Sequence, residues 1–155
     1  MVFYDSWLAK KLLKTGYGTI MLFGMIFTKI KKEYSKNTEK GQTTLAHNEV
    51  HVQQYVDCTF VALALAIIVT FLTGWWPSFC FVPVFYYIFY GIEYVIRYIY
   101  SWFKFRHLVV TLSDYAYKMV SFEQHAYELE KEWRLPIEIR KSISSFGWIK
   151  YLFQF

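Results

Sequence analysis

Between Asp57 and Glu93 the chain contains no Asp, Glu, Lys or Arg, and no other feature restricts its fold so strongly. A chain of 155 residues supplies one domain, and at 55% hydrophobic and 23% aromatic it is too apolar for an ordinary water-soluble one. One bilayer crossing takes ~20 residues. Cys58 to Trp76 is almost purely apolar and long enough for a first span, and the aromatic run Ser78 to Trp102 is long enough for a second. Thr73-Gly74-Trp75-Trp76-Pro77 separates them, because Gly and Pro break helices and Trp favours the membrane interface. The sequence therefore predicts an integral membrane helical hairpin.

The formal charge of +5 lies in two flanking blocks, eight lysines before residue 41 and eight Lys or Arg from Lys104 onward. The connecting turn is uncharged, so the positive-inside rule places both flanks, and both termini, on the cytoplasmic side. The lipid bilayer is the expected partner, with anionic headgroups facing the lysines. No nucleic-acid reading motif accompanies them, so nucleic acid is not expected. Cys58 and Cys80 have no metal-site spacing and read as free thiols packed as small apolar residues. No cleavable signal peptide is visible, and insertion is expected to rely on the spans.

The reading divides one domain, 1–155, into 1–44, 45–103 and 104–155. Val2 to Lys14 pairs apolar residues with three lysines and predicts a short amphipathic helix on an anionic surface, ended by Thr15-Gly16-Tyr17-Gly18. Thr19 to Ile30 reads as two short strands bending at Gly24, with a helix as the alternative. Lys31 to Gly41 reads as a polar loop. Thr43 or Thr44 can cap a helix starting near Leu45 that continues, free of Gly and Pro, to Thr73. At 1.5 Å per residue it extends ~40 Å, leaving its first three turns outside the bilayer. A second long helix is expected from Ser78 to Phe103, kinked at Pro83, and a third from Leu112 to Trp133, stopped by Pro136. The aromatic end, Phe146 to Phe155, suits the membrane interface.

At the membrane mouth stands His47-Asn48-Glu49-Val50-His51-Val52-Gln53-Gln54. Residues four apart share a helix face, so both imidazoles can reach one ion. A catalytic zinc needs three protein ligands and an open position, so a third donor must come from another element. Two spans return the chain to the starting side, which brings Glu123, His125, His107 and Glu128 into consideration. Gln54, one turn from His51, can orient an imidazole, while Gln53 packs around the helix. Glu93 and Arg97 are four apart in the favourable order for an ion pair. They read either as a structural pair or as a carboxylate supporting the metal. Tyr127 is a candidate to steady an oxyanion.

The order of these blocks resembles the small membrane-associated gluzincin-like (minigluzincin-type) HExxH metallopeptidases of bacteria, Bacteroidetes-type versions among them. The likeness runs from Tyr17 to the carboxyl terminus through Leu22-Phe23-Gly24-Met25-Ile26-Phe27, His47 to Gln54, Tyr90 to Arg97, Ala116 to Glu123 and Phe146 to Leu152. It implies a mainly α fold: a membrane-embedded helical hairpin with flanking amphipathic helices, a zincin-like active-site helix and a small apolar β element, in the bacterial inner (cytoplasmic) membrane. It also implies Zn2+ held by His47, His51 and Glu123. Residues Leu22 to Phe27 would then lie on an edge strand that binds an extended peptide, or a membrane-protein partner, by β-addition.

The sequence departs from that pattern at two positions. The family has Glu, the general base, directly after the first histidine, and here that position is Asn48, whose amide cannot take up a proton. Glu49 is turned about 200° from His47 around an ideal helix. His125 stands where the family tends to have a carboxylate. Three functional readings result. One is a zinc-binding but catalytically weak or inactive relative. The second is an integral membrane protein that is structural or partner-binding and holds no metal. The third is an active membrane metallopeptidase, a hydrolase with an unusual base such as Glu49, Glu128 or bulk hydroxide.

Overall fold

The computed structural model describes residues 1–15, 17–105, 112–141 and 144–154. Gly16, His107 and Phe155, which figure in the expectations above, lie outside the described residues. The chain is mainly helical and divides into two compact units, Met1–Val56 with Ala126–Ser145, and Asp57–His125 with Phe146–Phe155.

The first unit contains a three-stranded sheet in the order β1-β3-β2, formed by β1 (Val2–Phe3), β2 (Thr19–Leu22) and β3 (Met25–Thr28). β2 and β3 form an antiparallel hairpin with Leu22 opposite Met25. Its two turn residues, Phe23 and Gly24, have φ of 51° and 74°. That is the mirror-image turn whose twist suits a two-residue hairpin. β1 runs parallel to β3, pairing Val2 with Ile26 and Phe3 with Phe27, and the two Phe rings stack at 4.8 Å.

This sheet corrects two expectations. Val2 to Lys14 is not one helix: α1 is only Trp7–Leu12, preceded by Ser6, whose Oγ accepts from Ala9 N–H. The partner of β1 lies more than twenty residues away, and nothing local in Val2-Phe3 announces it. Nor is Leu22 to Phe27 an edge strand. Leu22 ends β2, Phe23 and Gly24 turn, and Met25, Ile26 and Phe27 belong to the central strand, which has neighbours on both sides. Ile26 N–H donates to the Met1 carbonyl at 3.0 Å and Ser6 N–H to that of Thr28 at 2.9 Å. A strand paired on both sides cannot take a further strand.

Residues Lys32–Asn37 form a short helix, α2, where a loop was expected, and α3 spans Glu39–Thr73, six residues earlier than its expected start. Thr38 explains both. Its hydroxyl donates to the Tyr34 carbonyl at 2.7 Å, closing α2, and accepts from Gly41 N–H at 3.1 Å, capping α3. A Cβ at Gly41 would lie 2.6 Å from Ser35 Cα, so this corner needs glycine. Deeper in the unit Val50, Ala126 and Leu129 form a buried apolar cluster.

In the second unit α3 ends at Gly74, which adopts φ 71° and donates its N–H to the Thr70 carbonyl at 2.8 Å. Trp76–Val84 is a 3-10 segment, and only Phe85–Lys104 is α-helix, α4. The expected kinked helix from Ser78 is thus a helix that starts after Pro83. Pro77 and Pro83 lack N–H donors, and the segment they bound takes the tighter winding. Glu39–Thr73 and Trp76–Lys104 are each long and apolar enough to cross a membrane, and little of either apolar stretch is buried within the protein. Phe71, Leu72 and Phe103 are among their exposed side chains.

α4 buries one polar stripe, Tyr86, Glu93, Arg97 and Ser101. The single helix expected over Leu112 to Trp133 is instead α5 (Leu112–Met119) and α6 (Ser121–Leu129), followed by a 3-10 turn at Glu132–Arg134. Glu93 accounts for the break: its Oε1 accepts from Ser121 N–H at 2.8 Å and its Oε2 from the Ser121 hydroxyl at 2.6 Å, so a carboxylate from α4 caps α6. Arg97 binds Glu93 and also donates to the carbonyls of Tyr151 and Leu152, each at 3.1 Å, and of Gln154. The Phe122 ring lies parallel to that of Tyr90, with its centroid 4.7 Å from that of Trp148.

Removing one partner of a buried ion pair strands the other. Glu93→Ala is therefore expected to lower stability by about 3–5 kcal/mol, measured as a loss of thermal stability of the purified protein.

Candidate metal centre

The polar half of α3 presents His47, His51 and Gln54 along one face, four and then three residues apart. The two Nε2 atoms face each other at 3.2 Å. Each ring's other nitrogen is already engaged, Nδ1 of His51 with Gln54 Oε1 at 2.8 Å and Nδ1 of His47 with Glu130 Oε2 at 3.1 Å. An acceptor oxygen on Nδ1 places the hydrogen there and turns the Nε2 lone pair outward. At this separation the two nitrogens can share a hydrogen bond or both reach one metal ion. Two nitrogens each ~2.05 Å from one tetrahedral ion would lie about 3.4 Å apart, close to the separation here.

α6 and the residue just after it carry a matching row, Glu123, Tyr127 and Glu130, again four and three apart. The Tyr127 ring lies against His47 with centroids 4.8 Å apart. Glu123 is buried, and its Oε1 accepts from the Tyr90 hydroxyl at 3.0 Å. One ligand atom from each of His47, His51 and Glu123 lies within 4.8 Å of the others, and this group could hold a metal ion. Two imidazoles and a carboxylate suit zinc in donor type, although the set alone does not single zinc out.

The remaining candidates are placed elsewhere. Asn48 is buried and donates its amide to the Thr44 carbonyl one turn back, at 2.8 Å. Glu49 is exposed and lines a different cavity of about 390 Å³ with Trp133, Arg140, Lys36 and Gln42. Gln53 donates to the Ser145 hydroxyl at 3.4 Å. Glu93 caps α6 at Ser121, two residues before Glu123. His125, also buried, lies beside Tyr151 and so close to Gly147 that a Cβ there would be 2.5 Å from its Nε2. Glu128 is exposed.

Sequence reasoning missed Glu130. The available signal was its spacing, because a carboxylate seven residues beyond Glu123 returns to the same helix face after two turns.

Tyr90→Phe removes only the hydroxyl that donates to Glu123. Hydrogen bonds to charged groups contribute about 1.5–3 kcal/mol, and a loss of that size is expected in the same thermal measurement. In comparisons with known proteins, no family model, no curated protein and no solved structure matches this chain.

Proposed function

We propose that this chain is an integral membrane protein that binds zinc through His47, His51 and Glu123, resembles a minimal gluzincin, and is catalytically weak or inactive. The observation that carries the reading is the convergence of the three ligand atoms within 4.8 Å, with Gln54 and Glu130 on the outer nitrogens of the two rings. Metal-ligating histidines are ordinarily oriented in this way.

The two apolar helices form the membrane hairpin, in a bacterial inner membrane with both termini cytoplasmic. Their low burial supports this, because the core helix of a water-soluble protein would be covered. A bound zinc supplies Lewis acidity. Peptide hydrolysis also needs a proton acceptor at the reacting centre. Asn48 offers an amide, already held by Thr44, and Glu49 faces another cavity. Binding of an extended peptide or membrane-protein partner is the role left to such a centre.

Detergent-purified protein is expected to contain about one zinc per chain by elemental analysis, lost in the His47→Ala/His51→Ala variant. Absence of metal from both proteins after zinc is supplied would reject the reading in favour of a metal-free histidine pair. Asn48→Glu should create or raise peptide hydrolysis in the zinc-loaded protein. No hydrolysis by either form would count against any peptidase ancestry for the site.

A further inference from the structure

We infer that Glu130 tunes the centre for a divalent cation, both by orienting His47 and by supplying a second negative charge that balances such an ion. The inference rests on the metal reading above. His51 and Glu123 are 7% and 2% exposed, so the group lies where uncompensated charge is costly. The two imidazoles bind metals in their neutral form, and Asn48 and Gln54 are neutral amides. Among the described residues, Glu123 and Glu130 each bring a carboxylate to this group. Their two negative charges balance a divalent ion, whereas a monovalent ion would leave the centre negative and a trivalent one positive.

The two histidines are not supported alike. His51 is backed by the neutral Gln54, fully buried, and His47 by the carboxylate of Glu130, whose side chain is 22% exposed. A carboxylate on the outer nitrogen makes an imidazole a stronger donor than an amide does. Tyr127 packs its ring on His47 and holds the imidazole from another side. Glu130 is thus a positioning residue that also carries charge, and the two contributions can be separated by substitution.

Glu130→Gln keeps an acceptor oxygen and removes the charge, Glu130→Asp keeps the charge on a shorter stem, and Glu128→Gln changes an exposed neighbouring carboxylate. Dissociation constants for Zn2+ and, as a monovalent probe, Ag+ are measured by chelator competition on the full chain in detergent. Glu130→Gln is expected to weaken Zn2+ binding about tenfold to a hundredfold and Ag+ binding far less. Glu130→Asp should stay closer to wild type for Zn2+, and Glu128→Gln should match it for both ions. Equal loss of both ions in Glu130→Gln would reduce Glu130 to a structural role, and no loss of either would remove it from the centre. Each result overturns the inference while leaving the metal reading intact. Failure of the wild-type protein to bind zinc overturns the metal reading and this inference together.

Discussion

A carboxylate in an apolar helix must have its lone pairs occupied, and Glu93 meets that demand in a way that shapes the second unit. One oxygen takes the Ser121 N–H and the Arg97 guanidinium, and the other takes the Ser121 hydroxyl. An isolated carboxylate buried at this depth would cost several kcal/mol, so the arrangement is strongly constrained. Ser121 has to begin a new helix there, and beginning it sets the rotation of the turn that follows. Glu123 comes two residues later and faces Tyr90, while Phe122 stacks into the aromatic cluster. The position of the third candidate ligand therefore follows from a contact that touches no metal.

Much of this architecture could be read from the residues where the causes are local. The charge-free run gave two long apolar helices. Gly24 marked the hairpin turn, and Gly74 with Pro77 marked the end of α3. The elements that escaped notice depend on partners distant in sequence. β1 exists because Ile26 and Phe27 lie beside it, and Val2-Phe3 alone has no strand pattern. The break at Val120 comes from a glutamate twenty-seven positions upstream, in a stretch whose own propensity is helical throughout. Thr38 looked like one more polar residue in a loop, and its double role becomes visible only once Gly41 permits the close corner.

The candidate centre was partly legible for the same reason. His47, His51 and Gln54 lie on one helix, where spacing alone fixes which side chains share a face. Glu130 belongs to a different element, so its pairing with His47 depended on tertiary structure. Asn48 and Glu49 show the converse. Sequence could state that one lacks a basic group and that the other points away, and the structure gives each a specific occupation, with Thr44 and with the Trp133 cavity.

The Arg97 guanidinium donates to the carbonyls of Tyr151, Leu152 and Gln154, and every acceptor in those bonds is backbone. The guanidinium therefore recognises the path of the backbone and is indifferent to which residues follow it, apart from those that pack for other reasons. These bonds make no demand on which side chains stand at 152 and 154, while Arg97 itself has little latitude. A lysine offers one rotatable ammonium and cannot span three carbonyls and a carboxylate with a fixed planar fork. Tolerance in the tail and strictness four residues beyond Glu93 are then two expressions of one contact.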